Sequence, residues 1–239
     1  MEEGQLGVSF GGRLCHFLQN WKKLTSDKQI LNYIEGVTFE LHNTPNQSFV
    51  CPEYSFDQQT KKLMSAEIDL FLDKNIIERV GHENGEIVSN IFPRKKKSGK
   101  IRIIGNFKDI NSEIAYHKFK QTTIQSIIDM LRPGQFLCSI DLQDAYYCIN
   151  VDKTHRKYIK FSWNNELFQF TFLAQGIGCA PRLFSKILKV PLSELRCQGI
   201  IISAYIDDLI ILSDSYEQCV GHCNSTITLL QSLGYVINF

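Results

Sequence analysis

Ser203-Ala204-Tyr205-Ile206-Asp207-Asp208-Leu209-Ile210-Ile211-Leu212 is the stretch whose reading decides the fold. An apolar run from Gly199 to Ile202 leads in, and Leu209 to Leu212 leads out. Apolar runs of this length bounded by Gly, Ser or Asp read as buried strands. Two carboxylates therefore fall at a tight turn between core strands. Asp suits turns, and a plain strand-turn-strand hairpin accounts for the pattern. Against that, adjacent charges beside a core lose hydration. A divalent cation reverses the balance. Hard ions such as Mg²⁺ take oxygen ligands, often one or two carboxylates with substrate phosphates. Asp141, at the end of apolar Phe136-Leu137-Cys138-Ser139-Ile140, offers a third acid in the same setting. Three such acids suit a site with two ions about 3.5–4 Å apart, stabilising the attacking and leaving oxygens of a displacement at phosphorus. Asp144 and Asp152 lack the strand-end context, and Asp144 suits a cap on the following turn.

The bulk of the chain is ordinary. It has 239 residues, 44% hydrophobic and 21% charged, with a formal net charge of +1. That length can bury a substantial core. The near-zero charge excludes a wholesale basic nucleic-acid coat, so any such partner must be held by local patches. No run approaches a membrane span of roughly eighteen apolar residues. Met1-Glu2-Glu3-Gly4 lacks the features of a secretory leader. Eight cysteines without a CxxC pair read as reduced thiols of an intracellular protein, cytoplasmic or nuclear. Cys219-Val220-Gly221-His222-Cys223 has some metal character, but structural zinc needs four ligands and no second pair is near.

Along the chain, Ser26 or Asp27 can cap a helix through Tyr33 that Gly36 stops. Val37–Leu41 alternates like a strand. Residues 42–60 read as an extended connection, and Lys61–Val80 as an amphipathic helix. Ile87–Arg94 and Ile101–Phe107 read as strands joined by the basic tip Lys95-Lys96-Lys97-Ser98-Gly99-Lys100. Thr123 starts a helix with Ile124, Ile127, Ile128 and Leu131 on one side. Phe136–Ile140 reads as a buried strand. Lys157–Trp163 and Glu166–Phe172 form a hairpin around Asn164-Asn165. Pro181–Leu195 and Ser215–Leu233 read as helices, and Tyr235–Phe239 begins a strand.

Three segments, in this order, carry a family resemblance. They are Ser139-Ile140-Asp141-Leu142-Gln143-Asp144-Ala145-Tyr146-Tyr147, Leu173-Ala174-Gln175-Gly176-Ile177-Gly178-Cys179-Ala180-Pro181-Arg182-Leu183-Phe184, and Tyr205-Ile206-Asp207-Asp208. Together they resemble the central palm motifs of retroelement reverse transcriptases. The resemblance implies an α+β right-hand polymerase: fingers and palm, with an antiparallel palm sheet packed on helices. It implies an N-terminal extension over 1–48, fingers over 49–134 with part of 153–174 returning to them, and palm over 135–239. It also implies RNA-directed DNA synthesis on a primed RNA or DNA template from dNTP, with two Mg²⁺ or Mn²⁺ ions. Gly11-Gly12-Arg13-Leu14-Cys15-His16-Phe17-Leu18 with Trp21, and the Cys-Ala-Pro-Arg-Leu-Phe run, are similar to the DIRS group, which pairs this enzyme with a recombinase.

By that resemblance Asp141, Asp207 and Asp208 are the catalytic metal ligands. Tyr146 matches the aromatic gate against a ribose 2′-OH; core packing is its other reading. Gln175 and Gly176 match a loop at the incoming nucleotide, where Gly permits close backbone approach. Lys100 and Arg102 match the clamp on the triphosphate, since Lys and Arg make charge-assisted bonds to phosphate. Lys95, Lys96, Lys97 and Tyr205 are assigned to template or primer, although a solvated basic turn explains the three lysines equally well. Asn106 and Lys108 depart from the Asp and Arg of many relatives. The family continues past the Leu-Gly-Tyr segment with a primer grip, thumb and often ribonuclease H. A chain stopping at Phe239 is expected to be truncated before them. Two other readings stand beside this one: an RNA-making palm polymerase, which the bulk of Tyr146 opposes, and a silent fingers-palm module that only binds nucleic acid or a partner.

Overall fold

The computed structural model describes residues 11–47, 52–95 and 101–238. Two sheets organise these residues. The first contains β1 (Ile77–Arg79), β2 (Val88–Lys95), β3 (Ile101–Asn106), β5 (Lys160–Trp163) and β6 (Glu166–Phe170) in the order β1-β6-β5-β2-β3. Its β2–β5 pair is parallel while the others are antiparallel, so this sheet is mixed. The second contains β4 (Phe136–Leu142), β7 (Ile201–Tyr205), β8 (Asp208–Ser213) and β9 (Ile237–Asn238) in the order β7-β8-β4-β9, antiparallel throughout.

Local chemistry explains most boundaries. Asn164 and Asn165 both take positive φ (52° and 62°), the conformation a two-residue hairpin turn between β5 and β6 needs. Asp27 caps α3 (Lys28–Glu35) through Gln29 N and Ile30 N. Thr123 and Ser126 form a reciprocal cap on α6 (Ile124–Ile128). Ser215 caps α8 (Tyr216–Ser232), which packs on β8 and β4. The helix α7 (Ala180–Cys197) starts with Pro181 in its first turn and runs on through Pro191. Among the described residues no helix is long and apolar enough to cross a membrane.

Four expectations need correction. The helix expected over 61–80 is α4 (Gln58–Asp73). It ends where Asn75 turns left-handed (φ 55°), and Ile77–Arg79 then joins β6. Val37–Leu41 is no strand: only isolated bridges form, Val37 with Val151 and Leu41 with Ile114. β4 is not buried along its length, since Phe136 and Leu137 are exposed and burial is reached at Ile140. The apolar side of α6 faces outward, with Ile124 and Ile128 exposed.

The N-terminal helices clasp the end of α8. In α2 (Leu18–Leu24), Trp21 Nε1 donates to the Leu233 carbonyl at 3.0 Å and Asn20 Nδ2 to the Ser232 carbonyl at 2.7 Å. Gly234 turns the chain there with φ 96°; a Cβ would lie 2.8 Å from the Phe17 ring and 3.0 Å from the Arg13 carbonyl oxygen. Gly221, inside α8, has open space at that position. Gly234→Ala is therefore expected to lose about 1–3 kcal/mol in urea unfolding. Gly221→Ala should gain about 0.5–1 kcal/mol, the opposite sign for the same added methyl group.

Candidate active site

Asp141 lies directly opposite Asp208 in the β4–β8 register, one step beyond Ile140 opposite Leu209. Opposed residues of an antiparallel pair project from the same face. Tyr205 pairs with Asp208, leaving Ile206 and Asp207 as a two-residue turn. Ile206 takes φ 58°, as the first position of such turns requires. For a β-branched residue the left-handed region costs about 1–2 kcal/mol. Strain of this kind tends to collect at functional sites. The Leu142 amide donates to the Asp207 carbonyl at 3.0 Å, tying the turn to the end of β4. Local turn chemistry and one long-range pairing thus bring three acids from two distant segments to one sheet edge.

Asp207 is partly buried, and its carboxyl is held above the ordinary carboxylate range. Lost hydration is the main cause, and the negative charges of Asp208 and Asp141 add to it. Its own backbone amide and the Arg102 guanidinium oppose the shift. Arg102 stands exposed on β3, and its charge reaches Asp207 from the other sheet. Tyr146 is half-buried; burial raises its phenol first, then the charge of Asp207. Its ring meets Phe184 of α7 edge-on at 5.7 Å and 84°.

The loop before α7 is fixed at Gly176 by a contact that leaves no room for a side chain. Gly176 has φ 105°, and a Cβ would sit 2.4 Å from the Gly105 carbonyl oxygen. This contact presses the loop onto β3, the strand that carries Arg102. Asn111, in α5 (Lys108–Glu113), brackets the loop: its Nδ2 donates to the Gly176 carbonyl at 2.8 Å, and Gly178 N donates to its Oδ1 at 2.7 Å. Gln175 is partly buried beside them.

Asp141, Asp207, Asp208, Arg102 and Tyr146 therefore share one electrostatic neighbourhood, with Gln175 and Gly176 on a loop braced against β3. Tyr205 is exposed on β7 next to the turn. Lys95 is exposed at the end of β2, and Lys96, Lys97 and Lys100 lie outside the described residues. Asp144 makes no side-chain cap and takes φ 46°, against expectation. Asp152 accepts from Thr154 N at 2.9 Å, a local turn. His222 bonds Ser213 Oγ at 3.0 Å, and Cys223 Sγ meets Cys138 Sγ at 2.9 Å. Among the described residues no three His, Cys, Asp or Glu side chains are gathered closely enough to cage one ion. Asp141 and Asp208 share a face, and Asp207 in the turn feels the charge of both. A cavity of about 340 Å³ lined by Gln29, Tyr33, Glu40 and Arg182 contains none of them.

Two residues at the site escaped the sequence reading: Asn111 and Asn238, whose Nδ2 donates to Asp141 Oδ2 at 2.7 Å. Asn111 left no local signal, because its partners are 65 and 67 residues away. Asn238 was visible only as part of an expected strand.

An acidic edge flanked by a cation, an aromatic ring and a glycine-pinned loop is the kind of site that handles nucleoside phosphates. The profile of the family described as reverse transcriptase (RNA-dependent DNA polymerase) matches residues 94–239, more than half the chain, and the chain belongs to that family. It is also similar to the Transposon Tf2-3, Tf2-4 and Tf2-7 polyproteins of Schizosaccharomyces pombe (strain 972 / ATCC 24843). Each is 23% identical over 215 residues, which is 90% of this chain and 16% of the relative. The chain thus spans about 16% of the length of the curated relatives it matches.

The raised carboxyl of Asp207 makes a stability prediction. Its folded value lies above its unfolded one, so the stability it contributes in acid is lost as pH rises through the folded value. Ionised Asp207 then carries a net penalty from lost hydration and, after it, from Asp208 and Asp141, which its backbone amide and Arg102 only partly offset. In metal-free buffer at pH 7, Asp207→Asn should melt at a higher temperature than the wild type. The difference should fade below about pH 4, where the unfolded carboxyl also protonates. Equal melting temperatures at pH 7 would contradict the penalty on ionised Asp207.

Proposed function

We propose that this chain is the reverse transcriptase domain of a retrotransposon, extending a primer on an RNA or DNA template from dNTP. The single observation that carries the reading is the placement of Asp141 opposite Asp208 with Asp207 in the intervening turn, within the field of Arg102. In the reaction the primer 3′ oxygen bonds to the α-phosphorus of dNTP. The bond from that phosphorus to the bridging oxygen breaks, pyrophosphate leaves, and the 3′-OH proton passes to solvent. Arg102 binds the triphosphate and orients it in line. Lys100 is assigned to the same clamp, and Lys95, Lys96 and Lys97 to template or primer phosphates. Tyr146 blocks the space of a 2′-OH, while Gln175 and Gly176 face the incoming nucleotide and Tyr205 the primer side.

Reverse transcriptase domains generally use divalent metal ions, and the residues fit such ions by donor chemistry. All three donors are carboxylate oxygens, and the Asp207 carboxyl, raised first by lost hydration and then by the charges of Asp208 and Asp141, is one whose ionised form a cation would favour. Asp141, Asp207 and Asp208 would hold two Mg²⁺ or Mn²⁺ ions, with substrate phosphates completing the ligation. Bound there, such ions neutralise charge developing on the phosphoryl oxygens.

The two sheets support a fingers and palm division. Lys160–Phe170 returns to the sheet of β1, β2 and β3, as fingers over 49–134 with part of 153–174 require. β4, β7, β8 and β9 would form the palm over 135–239, after an extension over 1–48. The likeness of Gly11–Trp21 to the DIRS group makes that the proposed subgroup. Thumb, ribonuclease H and recombinase segments would belong to the parent element.

The open spacing of the acids is the observation on the side of a second reading, a silent module that binds nucleic acid without chemistry. Primer extension with Mg²⁺ or Mn²⁺ separates the two. The wild type should extend a primed template, and Asp207→Asn should reduce extension to background while retaining template binding. Binding without extension by the wild type favours the silent module. Tyr146→Ala should keep dNTP extension and raise ribonucleotide incorporation. Unchanged sugar discrimination would remove Tyr146 from the gate.

A further inference from the structure

We infer that Asn238 is a positioning residue for Asp141, acting on the reaction through that carboxylate; this rests on the metal-site reading above. Asn238 lies directly opposite Asp141 in the β4–β9 register, on the side away from β8. Its Nδ2 donates to Asp141 Oδ2 at 2.7 Å, the single side-chain hydrogen bond to Asp141 among the described residues. An ionised carboxylate only accepts, so the amide nitrogen must be the atom facing it. One oxygen is thereby held by a neutral donor. The other is left to turn toward the face that Asp208 shares. Hydrogen bonds from an outer shell orient metal-binding carboxylates, and losing such a partner typically weakens metal affinity or activity 10- to 100-fold. An amide suits this role better than an ammonium group. It fixes the carboxylate without supplying the positive charge that would compete with a cation.

The strand that carries Asn238 is short, and other parts of the molecule hold it. Gln143 N donates to the Val236 carbonyl at 2.9 Å. Ile237 is buried opposite Leu142. Tyr235 is buried with its ring near Trp21 and Phe184, at centroid separations of 6.2 and 6.3 Å. Trp21 in turn bonds the Leu233 carbonyl. The N-terminal helices therefore set the position of β9, and β9 sets the amide on Asp141. Asn238 itself is exposed, so replacing it opens no core.

Mn²⁺ binding to the full chain without nucleic acid, followed by electron paramagnetic resonance, tests the inference independently of turnover. Asn238→Leu keeps the size and removes the donor. It should weaken Mn²⁺ binding 10- to 100-fold with little change in melting temperature. Asn238→Gln keeps the donor on a longer arm and should restore most of the affinity. Asn238→Ala, smaller and equally without a donor, replaces the Leu variant should that one fail to fold, with the same loss expected. Wild-type affinity in the donor-free variant overturns the inference, as does an equal loss in the Leu and Gln variants, which would mark a merely structural role. Absence of any Mn²⁺ binding that Asp141→Asn removes overturns the metal-site reading itself. That outcome is distinct from binding that depends on Asp141 and is indifferent to Asn238.

Discussion

The antiparallel register of β4 against β8 is the constraint on which the site depends. It runs from Phe136 opposite Ser213 to Asp141 opposite Asp208. A slip of one residue would send Asp141 to the other face of the sheet from Asp208. The acids themselves oppose the native register, since like charges directly opposite destabilise a pair by roughly 0.2–1 kcal/mol. The neighbouring apolar pair wins. Ile140 and Leu209, opposite each other, are both almost fully buried. Burying each such side chain contributes about 1.5–3 kcal/mol. Cys138 and Ile140 lie on the face that α8 covers, where Cys138 meets Cys223. The alternate face, with Ser139 and Asp141, stays open. One hydrophobic face thus holds in place a charged face that would not assemble alone.

Much of this was legible because the acids sit at the ends of apolar runs. Gly199–Ile202 and Leu209–Leu212 announced β7 and β8, and the Asn164-Asn165 pair announced the hairpin of β5 and β6. The caps at Thr123 and at Asp27, one of two candidates beside Ser26, were legible too, because a cap is a local hydrogen bond, whereas Ser215, read as the first helical residue, is the cap of α8. What local pattern could not carry was long-range. The parallel pairing of β2 with β5 joins residues about seventy positions apart by sequence number, Val88 with Lys160. The burial of Lys160 looks wrong in isolation. It is explained by Glu83 at 2.8 Å and Glu86 at 2.7 Å, which neutralise the charge within the core. The end of α4 was misread because Ile76 and Ile77 continue an apolar pattern. A left-handed Asn75 and the demand of β6 for a partner override that pattern.

The locks that hold the site are, with few exceptions, uncharged. The Leu142 amide holds the Asp207 carbonyl, and the Gln143 amide holds Val236. The Asn111 carboxamide holds both Gly176 and Gly178, and the Asn238 carboxamide holds Asp141. The contact of Gly176 with the Gly105 carbonyl is steric. An ion pair could have made any of these connections, but it would have brought a fixed counter-charge to the acids. Neutral donors position the carboxylates and leave their charge uncompensated. The raised carboxyl of Asp207 reports lost hydration first and this crowding second, and its own backbone amide and Arg102 moderate both only in part. An edge built this way is unfavourable for the folded chain by itself. Under the proposed function, cations and phosphates bound together would offset that cost.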